Sequence, residues 1–114
     1  MTFNLNIVQG TTFSQQIVVT GKDFTGATGY CQIRKQANQD SPVVAEPIVT
    51  FPALPVGAIV IDLTSEETQT IPVTSRNITT ADSYQYDIKV DLAGVVTQEV
   101  SGVASITPST TLIV

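Results

Sequence analysis

The sequence predicts an all-β protein: an antiparallel β-sandwich of about seven or eight short strands with one short helical crossover. Three observations predict it. Apolar and polar residues alternate with a period of two over most of the chain, as in strands with one buried face. Turn signals recur about every ten residues, the spacing of sandwich folds. A single segment, Thr64 to Pro72, breaks the alternation with helix-start and helix-stop residues.

The elements follow in order. In "FNLNIV" Phe3, Leu5 and Ile7 share one face, with Asn4 and Asn6 opposite. After Gly10, "TTFSQQIVVT" puts Phe13, Ile17 and Val19 inward, and "GKDFTGATG" reads as a turn-rich connection with three glycines. "YCQIRK" turns Cys31 and Ile33 inward and Tyr30, Gln32 and Arg34 outward, and a polar loop follows. "VVAEPIVTF" reads as one short strand interrupted by Pro47, which lacks an amide donor; the strand must lie at a sheet edge or begin only after the proline. "AIVIDL" places Ile59, Ile61 and Leu63 on one face.

The exceptional segment, "TSEETQTIP", carries the capping box Thr64-x-x-Glu67 and a stop at Pro72. It predicts one or two helical turns crossing between sheets, with Ile71 plugging the core beneath. "YQYDIKV" is the most regular run: Tyr84, Tyr86, Ile88 and Val90 face one way, Gln85, Asp87 and Lys89 the other. "DLAG" makes a turn with Gly94 at a positive φ, and "VVTQEVSGVASI" returns as a long strand, bulged or bent near Gly102. The sandwich is expected over residues 1–107, with 108–114 as a C-terminal tail beyond Pro108. The apolar Leu112, Ile113 and Val114 are the expected interface, either covering the rim of their own domain or docking on a neighbour.

Composition sets bounds on function. A chain of 114 residues, 42% hydrophobic, suits one domain and one core. Charged residues are 13%, against roughly 25% in ordinary soluble domains, so Thr, Ser, Gln and Asn must cover the surface. Such a surface suits packing against other proteins. The net charge is −5 and the five cations are scattered, which argues against a nucleic-acid partner. No stretch reaches the roughly 18 apolar residues of a membrane helix, and the N-terminus does not read as a signal peptide. Synthesis and retention in the cytoplasm until assembly are expected.

Chemistry finds few footholds. The chain has no His, so the usual general base and the commonest neutral metal ligand are missing. Lys22, Lys35 and Lys89 show no motif for a Ser–Lys pair. Glu66 and Glu67 suit the positive end of a helix dipole. Asp82, Asp87 and Asp91 could gather near one end of the sandwich, but no calcium loop surrounds them, and they read as solvated strand-end acids. Cys31, the only cysteine, reads as a small buried hydrophobe, and "NIT" at 77–79 as a chance glycosylation pattern. Tyr84 and Tyr86 could anchor an interface or stack on a sugar. Their parity with Ile88 and Val90 favours an inward role, each hydroxyl reaching a backbone carbonyl near the rim. No catalytic, cofactor-binding or metal-binding residue is therefore assigned.

The ordered set "IVQGTTFSQQIVVTG", "DFTGATGYCQIRK", "AIVIDLTSEETQTIP" and "YQYDIKVDLAGVVTQEVSGVASITP" resembles small virion proteins of tailed bacteriophages, and the N-terminal domain of the phage baseplate upper protein family. The matching positions are Gly10 to Phe13, Asp23 to Gly26, Ile33–Arg34, Leu63 to Thr68, Tyr86 to Ile88 and Gly102–Val103. The resemblance implies an immunoglobulin-like sandwich without enzymatic activity or cofactor, built into the particle among other virion proteins, in several copies on a symmetric platform or as a homo-oligomer. It leaves the place open. Attachment to the tail, baseplate or fibre region comes first, and decoration of the capsid surface second. A carbohydrate-binding adhesion module is the third reading and requires an exposed aromatic platform. No host-binding extension is expected after the domain.

Overall fold

The computed structural model describes residues 1–74 and 81–110. Alternation has become two packed sheets. Strands β1 (Leu5–Val8), β3 (Thr28–Arg34), β4 (Val43–Ala45), β7 (Asp82–Leu92) and β8 (Val95–Thr107) form a five-stranded sheet in the order β1-β8-β7-β3-β4. Strands β2 (Phe13–Val18), β5 (Ile48–Thr50) and β6 (Ala58–Leu63) form a three-stranded sheet in the order β2-β6-β5. The fold is an all-β sandwich with one short helix, α1 (Ser65–Gln69), among the described residues.

The inward faces are those the parity predicts. Ile33, Ile59, Ile61, Ile88, Val100 and Ile106 are fully buried between the sheets, with Leu5, Ile7, Ile17, Leu63, Tyr84, Tyr86 and Val90 around them. Each such aliphatic side chain contributes about 1.5–3 kcal/mol by leaving water. Phe24, in the connection between β2 and β3, closes the sandwich against Phe51, with ring centroids 5.3 Å apart.

α1 carries the chain from β6 in the small sheet to β7 in the large one. Its capping box is complete: the Glu67 amide donates to Thr64 Oγ1 at 3.1 Å and the Thr64 amide to Glu67 Oε1 at 2.9 Å. Ile71 is fully buried beneath it. Thr68, also fully buried, donates its hydroxyl to the Thr11 carbonyl at 2.7 Å, pinning α1 to the connection after β1.

Four details differ from the expectation. Residues 43–50 form two strands, not one: β4 edges the large sheet and β5 edges the small one. Pro47 sits at the crossing, where its missing amide interrupts no ladder. The pairing is antiparallel except at β1, which runs parallel to β8, with Leu5 opposite Ala104 and Val8 opposite Thr107. β1 is joined to no neighbour by a hairpin, so its direction is free to match the open edge of β8. The bulge in β8 falls at Glu99, because Ile88 pairs with Val100 and Lys89 with Gln98. Gly102 serves a different purpose. A Cβ there would lie 2.2 Å from the Phe3 carbonyl oxygen, so only glycine lets the N-terminal segment approach. Finally, Thr28 and Gly29, read as part of a turn-rich connection, begin β3.

Candidate functional site

Cys31, Asp82 and Asp91, weighed above for chemistry, serve structure. Cys31 is buried; loss of hydration, then the nearby Asp87 charge, pushes its thiol up to about 12. Asp82 is buried rather than solvated and accepts the Thr74 amide at 2.9 Å and the Thr74 hydroxyl at 3.0 Å. Asp91 Oδ1 accepts the Gly94 amide at 3.1 Å inside the β7–β8 turn. The three aspartates do not gather. They are strung along one strand, about 17 Å and then about 13 Å apart at the rise of an extended chain. Among the described residues no group of three His, Cys, Asp or Glu is placed to hold a metal ion.

The tyrosine pair faces inward. Tyr84 donates its hydroxyl to the Pro72 carbonyl and Tyr86 to the Phe3 carbonyl, so both tie neighbouring segments to β7. Burial raises both phenol pKa values, helped at Tyr84 by Asp82 and at Tyr86 by Cys31. Lys35 lies over the Tyr84 ring at 4.8 Å, and Lys22 reaches the buried carboxylate of Glu99 at 3.8 Å. The expected interface of Leu112, Ile113 and Val114, and the "NIT" at 77–79, lie outside the described residues.

Two surfaces remain. The first is one end of the sandwich. There the β7–β8 turn meets the start of β3, since Thr28 pairs with Asp91 and Leu92 with Val95. The 51–57 connection reaches the same end, because Gly29 packs against Val49 and Phe51, and Val19 donates its amide to the Gly57 carbonyl. This end carries exposed Leu54, Val56, Leu92, Val95 and Val96, with Leu54 79% and Val95 64% accessible. Parity could not find them, because Val95 and Val96 both stand in a strand but extend past the smaller sheet that would cover one of them.

The second surface is a trough of about 710 Å³ on the outer face of the large sheet. Its floor is built by register. Tyr30, Lys89 and Gln98 form one cross-strand row, Gln32, Asp87 and Ser101 the next, and Arg34, Gln85 and Val103 the third. The connection at 36–39 forms a wall. Arg34 holds that wall: it donates to the Gln39 carbonyl at 3.2 Å, to the Ser41 carbonyl, and to Gln32 Oε1 at 2.6 Å. The outward set of Tyr30, Gln32, Arg34, Gln85, Asp87 and Lys89 was legible from alternation, whereas the wall depends on a loop whose course alternation does not describe. Comparison with protein-family models and with curated protein sequences found no match.

Proposed function

We propose that the protein is a non-enzymatic structural module of a tailed-bacteriophage virion, docking on the tail, baseplate or fibre-attachment region. The observation that carries this reading is the apolar end of the sandwich, where Leu54, Val56, Leu92, Val95 and Val96 are each exposed on segments that meet at that end. Large apolar side chains gathered on one part of a surface with few charges favour association with another protein. The resemblance to phage virion proteins supplies the setting, and the commitment of Cys31, Asp82 and both inward tyrosines to structural contacts favours work by contact rather than by chemistry. Its partners would then be other virion proteins, met after synthesis in the host cytoplasm, on a platform whose symmetry repeats the docking.

Mass spectrometry of purified particles tests the reading. The protein should be present, in a small multiple of three or six for a tail site; hundreds of copies would instead move it to the capsid surface. Leu54→Asp combined with Val95→Asp should abolish incorporation while changing the stability of the isolated chain by no more than about 0.5 kcal/mol, as is usual for exposed positions. Absence from particles, or normal incorporation of the double variant, would overturn it.

A further inference from the structure

We propose that the trough on the outer face of the large sheet is a binding site for a neutral oligosaccharide. This goes beyond the docking role and is independent of it, since the trough lies on a sheet face and the apolar surface at one end.

Size and order come first. A volume of about 710 Å³ falls within the roughly 300–1,000 Å³ of small-ligand sites. The floor from Tyr30 to Arg34 is about 13 Å long at the rise of a strand, room for a short chain of sugar rings. The wall is held by hydrogen bonds of its own. Asn38 Oδ1 accepts the Asp40 and Ser41 amides at 3.0 and 2.8 Å, Ser41 Oγ accepts the Gln36 amide at 3.1 Å, and Arg34 ties the loop to the sheet. Binding therefore has little loop ordering to offset.

Chemistry then selects the occupant. Tyr30 is 57% exposed at one end of the floor, offering an aromatic face. Beside it in register stand Lys89 and Gln98, and one row away Asp87. Tyr30, Gln85, Asp87, Lys89 and Gln98 all line the trough with polar groups, and none of those groups is engaged by another side chain among the described residues. A sugar ring presents an apolar C–H face on one side and adjacent hydroxyls, each donor and acceptor, around its rim. An aromatic face matches the first; planar amides and a carboxylate, which offer paired acceptors and donors, match the second. Arg34 and Lys89 outnumber Asp87 in the trough by one charge, but the Arg34 guanidinium is taken up by the Gln39 and Ser41 carbonyls and by Gln32, and the chain as a whole carries −5, so a polyanion is disfavoured. A peptide would want apolar pockets, and the floor offers Val103 alone among large aliphatic side chains.

The test uses the isolated full chain on an array of neutral and uronate oligosaccharides. A trisaccharide of the best class found is then titrated, followed by amide chemical shifts. Retention of at least one neutral glycan is expected, with shifts centred on Tyr30, Gln32, Asp87 and Gln98. Tyr30→Ala should weaken binding about tenfold, and Gln98→Ala should weaken it too, with the thermal transition unchanged in both, because both side chains are exposed. No neutral glycan retained, retention of uronates alone, shifts centred elsewhere, or full affinity in the folded Tyr30→Ala variant would overturn the proposal.

Discussion

Cys31 shows how far one residue's surroundings decide its chemistry. Its thiol is walled off by the core, and its pKa stands at about 12 against 9.0 for a free thiol. The folded value is raised, so the stabilising contribution is complete below about pH 9 and is lost as pH rises toward 12. Relative to a Cys31→Ala control, the wild type should lose stability in urea between about pH 8 and about pH 10.5, because only the unfolded thiol gives up its proton there. A thiol reagent at about pH 8 should leave the native protein unlabelled and label it fully in denaturant, since the thiolate is the nucleophile and is scarce in the fold. This burial was legible from parity alone: Cys31 alternates with Tyr30 and Gln32, and both of those face outward. Asp82 shares the parity of the inward tyrosines, but as an acid it read as solvated. What was not legible is the partner: Thr74 donates its amide and hydroxyl to the Asp82 carboxylate, which helps make burial tolerable.

At the scale of elements, α1 rests on its cap. A helix of five residues is far too short to persist by propensity, so the capping box and its tertiary ties must hold it. Thr64→Ala should cost about 1 kcal/mol in urea unfolding, and serine at that position should recover most of it. The box was legible because its residue types and spacing are local. What holds the other end was not: Gln9 donates through Nε2 to the Gln69 and Ile71 carbonyls at 3.3 and 3.2 Å, from about sixty positions away. The strands divide the same way. Alternation identified β6 and β7 face by face, yet gave no hint that β4 and β5 belong to different sheets, because a short apolar run around a proline reads alike in either case.

For the whole molecule, the closure of the first segment on the last strand is the least local feature. Gly102 makes it possible, and the Phe3 amide donates to the Ser101 carbonyl at 2.9 Å beside it. Gly102→Ala should destabilise the protein by about 1–3 kcal/mol, since the clash is with backbone that cannot rotate away. Amide exchange in β1 should accelerate more than in β6, which lies in the other sheet; equal acceleration would mean that the segment is not held there. The two-sheet architecture was readable from period and turn spacing. The partner of β1 was not, because pairing between residues about a hundred positions apart leaves no mark in either strand.

That pairing has a consequence for biosynthesis. Leu5–Val8 leaves the ribosome early, but its place beside Ala104–Thr107 does not exist until those distant codons have been read. At about 5–20 residues per second the strand waits about 5–20 s, with Leu5 and Ile7 uncovered and one backbone edge open. During that interval nascent chains on one polysome are mutually adhesive, and the yield of folded protein depends on how quickly translation reaches the last strand.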